Sequence, residues 1–205
     1  MVSLTPSASF GTYPRSVRDV MRAFQDQSEA RVDQFIFYDN SKFLDESRAA
    51  ISTVLKAPVE TLVFVPNATT GVNTALRNLI FEKGDKILYF ASIYGACEKT
   101  VVHLTETTPV EAVKIEFEYP VEDDWLVSEF EKKIKEEQAK GGRVKVAIFD
   151  TVVSIPGVRM PFERLVKACK ELGVLSLIDG AHGVGHIELN LGELDPDFFV
   201  SNCHK

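Results

Sequence analysis

The sequence predicts an α/β fold: a mostly parallel sheet with helices on both faces, preceded by a helical N-terminal segment. Two observations carry that expectation. From about residue 58 onward, short apolar runs alternate with stretches of helical periodicity, and strands alternating with helices are joined by crossovers that lay a parallel sheet between two helical layers. The chain has 205 residues, 45% of them hydrophobic, which is enough to bury a substantial core and excludes the disordered class.

Residues 15–57 read as helical. Val17, Val20, Met21 and Phe24 recur at three- and four-residue spacing, as do Phe43, Leu44, Ala50, Ile51 and Leu55. Apolar runs at 61–65, 86–90, 112–117, 144–149 and 174–178 then predict strands, with a last one at 197–201. Between them, 69–81, 95–106, 124–139 and 161–172 predict helices. The helix at 124–139 is rich in Glu and Lys and is expected to face solvent, ending at Gly141-Gly142. The expected division is a helical segment at 1–57 and an α/β domain at 58–205. In sheets of this kind ligands bind at the carboxyl ends of strands.

Composition narrows the function. A net charge of −7 and a pI near 5.2 argue against a nucleic-acid or anionic-membrane surface. Three cysteines, Cys97, Cys169 and Cys203, are an odd number at irregular spacing and read as reduced intracellular thiols. No apolar run reaches the length of a membrane span, and the opening Met1-Val2-Ser3-Leu4-Thr5-Pro6 lacks the charge and apolar stretch of a secretory signal. The expectation is a soluble, cytoplasmic protein. No Gly-x-Gly-x-x-Gly follows a strand and Ser154 has no nucleophile-elbow setting, so neither a dinucleotide fold nor a serine hydrolase is supported.

Four motifs fall at predicted strand ends. Asn67-Ala68-Thr69-Thr70 opens a helix, and free amides at a helix start, reinforced by hydroxyls, suit a phosphate. Plain N-capping by Asn67 or Thr69 is the competing reading. Tyr94 follows the strand at 86–90 and could stack on a flat ring, although half-buried packing is the commoner fate of a tyrosine. Asp179 ends the run Val174-Leu175-Ser176-Leu177-Ile178, with His182 three residues later. A carboxylate there could pair with a protonated ring nitrogen; it could equally cap the next segment. Ser201-Asn202-Cys203-His204-Lys205 follows the last apolar run. An amine beside a hydroxyl and an imidazole at the mouth of such a sheet can attack an aldehyde, whereas most terminal lysines are simply solvated. Cys97, Cys169 and Cys203 carry little weight in the sequence; Cys169 is read as core.

With Asn-Ala-Thr-Thr at 67–70, Asp-Gly-Ala-His at 179–182 and Ser-Asn-Cys-His-Lys at 201–205, the sequence resembles the class V aminotransferase family of fold-type I pyridoxal phosphate enzymes. It looks most like the isopenicillin N epimerase-like branch, including fungal loline-pathway-type enzymes. Ser9-Phe10-Gly11-Thr12-Tyr13-Pro14 and Asp150-Thr151-Val152-Val153-Ser154-Ile155-Pro156-Gly157 carry that finer likeness. The resemblance implies pyridoxal 5'-phosphate as cofactor. Ala68, Thr69, Ser201 and His204 would contact its phosphate, Tyr94 would stack on the ring, and Asp179 would face the ring nitrogen. His182 would meet the ring oxygen, and Lys205 would be the catalytic Schiff-base residue. No metal is implied. Two departures stand out: Ser7-Ala8 replace the branch's Asn-His-Gly, and Thr151-Val152-Val153-Ser154 stands where the branch has His-Val-Thr-Ser.

The resemblance further implies an amino acid or amine substrate, transamination, epimerisation or C–S/β-elimination chemistry, and a homodimer at full length. Members are roughly double this length, so the chain is expected to be the large-domain portion, ending before the small domain. A truncated, catalytically inactive product that retains the fold is the rival from another class. A metal-binding module using Asp179, His182 and His186 is a third possibility, weakened by Gly183 and Gly185, which leave no helix to place both imidazoles on one face.

Overall fold

The computed structural model describes residues 11–205; Ser7, Ala8, Ser9 and Phe10 of the opening motif lie outside them. The chain groups into two compact units. One holds residues 11–64, Leu189–Glu193 and His204–Lys205; the other holds Val65–Glu188 and Leu194–Cys203.

The first unit is helical, as its periodicity predicts. It comprises α1 (Arg15–Ala30), the short α2 (Val32–Gln34), a π-helical turn at Phe35–Asp39 and α3 (Asn40–Leu55). Phe24 of α1 meets Phe43 of α3 edge to face, with ring centroids 4.9 Å apart. Little else is covered: α1 and the π-helical turn contain no buried residue, and Phe37 and Tyr38 are 74% and 72% exposed. Lys56 ends α3 in the left-handed region, and its carbonyl accepts from the Gly192 amide. At the other edge of this unit, the Gly11 backbone runs so close to that of His204 that a β-carbon on residue 11 would lie 1.3 Å from the His204 carbonyl oxygen. Only glycine fits there.

The strand expected at 61–65 does not form. Val59–Thr61 is a turn of 3₁₀ helix, and residues 62–67 run on without ladder pairing. The physical reason is a side chain. Arg48 donates through Nε to the Leu62 carbonyl and through Nη2 to the Val59 carbonyl, both at 2.9 Å, meeting acceptors that a neighbouring strand would otherwise fill.

The second unit is the α/β layer structure. Five strands, β1 (Asp85–Phe90), β2 (Glu111–Ile115), β3 (Arg143–Asp150), β4 (Leu175–Gly180) and β5 (Phe198–Ser201), pair in parallel in the order β2-β1-β3-β4-β5. Helices α4 (Ala68–Arg77), α5 (Gly95–Thr107), α6 (Asp123–Ala139) and α7 (Phe162–Leu172) connect and cover them; α8 (Leu191–Leu194) is a single turn.

The two-residue period of the strands sorts their side chains between two faces. On one face Ile87 and Tyr89, Val146 and Ile148, and Leu177 pack under Val72 and Leu76 of α4 and Val101 and Leu104 of α5. On the other, Phe130 of α6 stacks on Phe90 and meets Phe149 edge to face. Each fully covered Ile, Leu or Val contributes about 1.5–3 kcal/mol of burial free energy, so the central strands are fixed on both faces. Helix α6 is amphipathic rather than wholly solvent-facing. It buries Leu126, Phe130 and Ile134, and its Glu137 is buried with Lys86 and Lys140 as ion-pair partners at 2.6 and 2.7 Å. These partners, Lys140 foremost, hold the Glu137 carboxyl down at about 2.

Candidate active site

The carboxyl ends of β3 and β4 carry the chemistry of the second unit. On the face covered by α4 and α5, the apolar column Val146-Ile148 ends in Asp150, and the column Leu175-Leu177 ends in Asp179. Both carboxyl groups are buried. Asp179 is well supplied with donors: the Ala181 amide donates to Oδ1 at 2.9 Å and the Cys97 thiol to Oδ2 at 3.3 Å. The Thr151 amide donates to the Asp179 carbonyl at 3.0 Å, tying the two strand ends together.

Burial, and then the Asp179 charge, push the Asp150 carboxyl well above the ordinary carboxylate range. The same two causes push the Cys97 thiol up, so it remains an S–H donor rather than a thiolate.

Two helix starts flank this pair. In α4, Asn67 is the N-cap: its side-chain oxygen accepts from the Thr70 amide at 2.8 Å. The capping reading of Asn67 therefore holds, and it leaves the Ala68 and Thr69 amides without a hydrogen-bond partner among the described residues. Free amides in a first turn, together with the helix dipole, are a place for an anion. Glycine lets α4 approach the sheet: a β-carbon on Gly71 would sit 2.6 Å from Cγ1 of Val200 in β5. In α5, Tyr94 is the N-cap residue, about half exposed, and its carbonyl accepts from the Cys97 amide at 2.8 Å.

The remaining predicted residues divide between the units. His182 is buried in the turn after β4. Ser201 ends β5, and its hydroxyl donates to the Gly180 carbonyl at 2.5 Å. Thus Ala68, Thr69, Tyr94, Asp179, His182 and Ser201 belong to one compact unit, whereas His204 and Lys205 belong to the unit formed with residues 11–64. Among the described residues no group of three His, Cys, Asp or Glu side chains is placed to hold a metal ion.

Three residues go beyond the sequence reading. Asp150 ends an apolar strand just as Asp179 does, so the same signal was available for it. Thr151 buries a hydroxyl that has no hydrogen-bond partner among the described residues, close to where a β-carbon on Gly183 would sit. Cys97, set aside in the sequence, holds Asp179.

Solved structures share this architecture. A C-DES mutant with glycine covalently linked to its pyridoxal phosphate cofactor superposes with a TM-score of 0.81 at 17% identity, covering 96% of this chain and 51% of that one. The apo cysteine desulfurase of Thermococcus onnurineus NA1 gives 0.76 at 23% identity, with 98% and 49% covered. The fold is shared with about half of each of those chains. Residues 7–205 match the family model described as aminotransferase class-V, and the chain belongs to that family. An L-cysteine desulfhydrase-like protein of Epichloe uncinata is 41% identical over 97% of this chain and 44% of its own length. A putative L-cysteine desulfhydrase of Oryza sativa subsp. japonica is 30% identical over 100% and 44%. The chain spans about half the length of the curated relatives it matches. Among the described residues, no helix is long and apolar enough to cross a membrane.

Proposed function

We propose that this chain is the cofactor-binding part of a pyridoxal 5'-phosphate-dependent lyase that cleaves a C–S bond in a small sulfur-containing amino acid, with cysteine as the model substrate. The observation that carries the reading is Asp179, a buried carboxylate held by two donors between two helix starts. The residues present fit the cofactor: the Ala68 and Thr69 amides, unpartnered among the described residues, suit a phosphate, and the Thr151 hydroxyl, likewise unpartnered among them, suits a polar group beside the Asp179 turn. Pyridoxal phosphate would supply an aldehyde for the substrate amine and a ring that accepts electrons.

This chain's own groups would do the rest. Ala68 and Thr69, joined by Ser201 and His204, would hold the phosphate. Asp179 would keep a proton on the ring nitrogen, His182 would meet the ring oxygen, and Tyr94 would cover the ring face. Lys205 would hold the cofactor covalently and, once freed, move the substrate α-proton. The names of the relatives favour C–S cleavage over transamination or epimerisation.

Residues 58–205 would act as the cofactor domain in the isopenicillin N epimerase-like branch. The free, unbridged cysteines suit the cytoplasm, and the exposed apolar side chains of the first unit suit a homodimer at full length.

The test is reduction of the cofactor-loaded full-length protein with borohydride, followed by peptide mapping and an assay of sulfide release from cysteine. Label on Lys205 with sulfide release is expected. Label on Lys83 or Lys86, or amino-group transfer without sulfide, overturns the reading.

A further inference from the structure

The start of α5 carries Tyr94, the residue proposed to cover the ring, and three residues on Cys97, whose side chain reaches Asp179. Tyr94 opens the helix, and its carbonyl accepts from the Cys97 amide. Cys97 then points its thiol at Oδ2 of Asp179, 82 positions away in sequence. Cys97 is 1% exposed, so its thiol's partner is Asp179 and not water. On the other side of the carboxylate, Oδ1 is fixed by the Ala181 amide. A carboxylate held at both oxygens cannot rotate about its last bond, and its remaining lone pairs are fixed in direction.

From this geometry we infer that Cys97 is a positioning residue for Asp179, and that α5 fixes the ring-facing carboxylate and the ring-covering Tyr94 relative to each other. The inference rests on the proposed role of Asp179 toward a pyridine nitrogen. Its chemistry asks for an uncharged donor rather than a cationic one. A weak S–H donor orients the carboxylate while leaving most of its basicity for the ring nitrogen, whereas a cationic donor would compete for it. Neighbouring Asp150, in register with Asp179, adds a second reason for an uncharged donor of small volume: the site already crowds two carboxyl groups on one face.

Two measurements on the full-length protein test this. In the cofactor-free protein, the infrared S–H stretch of Cys97 is assigned by difference against Cys97→Ser. Asp179→Asn should shift that band; an unmoved band means that the thiol does not bond Asp179 and overturns the inference. In the cofactor-loaded protein, Cys97→Ala should move the absorption maximum of the bound cofactor and weaken its retention about fivefold, the scale of one ordinary hydrogen bond. Cys97→Ser, which keeps a donor, should restore both. If Cys97→Ala binds cofactor with wild-type strength and an unshifted band, Cys97 is mere packing and the inference fails. If the wild-type protein takes up no pyridoxal phosphate, the proposed function itself fails and carries the inference with it.

Discussion

Asp150 and Asp179 are register partners on neighbouring parallel strands, and each ends an apolar column on the same face of the sheet. Two carboxyl groups buried side by side cannot both carry charge cheaply. Asp179 has the Ala181 amide and the Cys97 thiol as donors. Asp150 is the member that burial and its neighbour's charge hold toward the protonated form.

That asymmetry predicts different outcomes for the same substitution. Asp179→Asn should lower turnover on the order of a hundredfold, because the amide cannot accept at both positions or hold a ring proton. Near-full activity in that variant would remove Asp179 from the proposed site. Asp150→Asn should instead change the pH dependence of stability. A carboxyl whose folded pKa is raised contributes stability that is complete below its ordinary value of 3.8 and is lost as pH rises through the folded value. The urea midpoint of Asp150→Asn should therefore gain on wild type as pH climbs above 3.8 toward the raised folded value. A gap that narrows with pH would contradict the assignment.

Gly71 and Val200 should be energetically coupled. Gly71→Ala places a methyl group 2.6 Å from the Val200 side chain and forces α4 off β5, at a cost of about 1–3 kcal/mol. Val200→Ala in the same chain makes room, so the double variant should be less destabilised than the two single effects added together. Strict additivity in denaturant unfolding would show that the helix start is not seated on β5.

At the α4 cap, two substitutions should separate folding from phosphate binding. Asn67→Ala removes the acceptor for the Thr70 amide and should cost about 1 kcal/mol of stability. Asn67→Asp keeps the cap and adds a charge favourable to the bare helix start, yet repels a phosphate. Thermal melts of the cofactor-free protein should rank Asp with or above Asn, while equilibrium dialysis of pyridoxal phosphate ranks it below. Unchanged affinity in the Asp variant would place the phosphate elsewhere.

At the opposite end of the sheet, Asp85 should govern acid stability. Arg143 above all, with the Glu82 amide and Lys145, holds its carboxyl at about 2, against the pull of burial. A lowered carboxyl pKa contributes stability that is complete above 3.8 and is lost as pH falls toward about 2. Asp85→Ala should cost about 1–2 kcal/mol at neutral pH, a figure discounted for solvent screening because the Arg143 side chain is 57% exposed. It should also flatten the fall in stability below pH 4. An acid-unfolding profile that keeps its wild-type slope would rule this out.

The strands of the central sheet were legible because β1, β3 and β4 are apolar on both faces, and a run such as Val144–Phe149 has no solvent-facing partner pattern to confuse it. Residues 61–65 are similarly apolar and form no strand. Composition reports burial preference, and cannot report that Arg48, 14 positions before Leu62, already takes up the Leu62 carbonyl. The helix start at Asn67 and the position of Asp179 were legible for local reasons: a cap and a strand end are short-range signals. Cys97 was not. Its meaning depends on a partner across the sheet, and nothing in Tyr-Gly-Ala-Cys announces a carboxylate. The exposed stripe on α1 marks the same limit from the other side: Val17, Val20 and Phe24 predict a helix correctly without saying what covers it.

The close passage of Gly11 against His204 bears on how the polypeptide is made. These two backbones lie 193 positions apart and meet within one compact unit. A ribosome adding about 5–20 residues per second needs roughly 10–40 seconds to span that interval. Through all of it, the N-terminal helices wait with Ile36, Phe37 and Tyr38 in water and with no native partner for Gly11. The Val65–Glu188 layers can collapse in the meantime, since their strands follow one another closely along the chain. The segment bearing His204 and Lys205 is therefore a late native contact for the N-terminal unit, and a nascent chain must stay free of aggregation until it emerges.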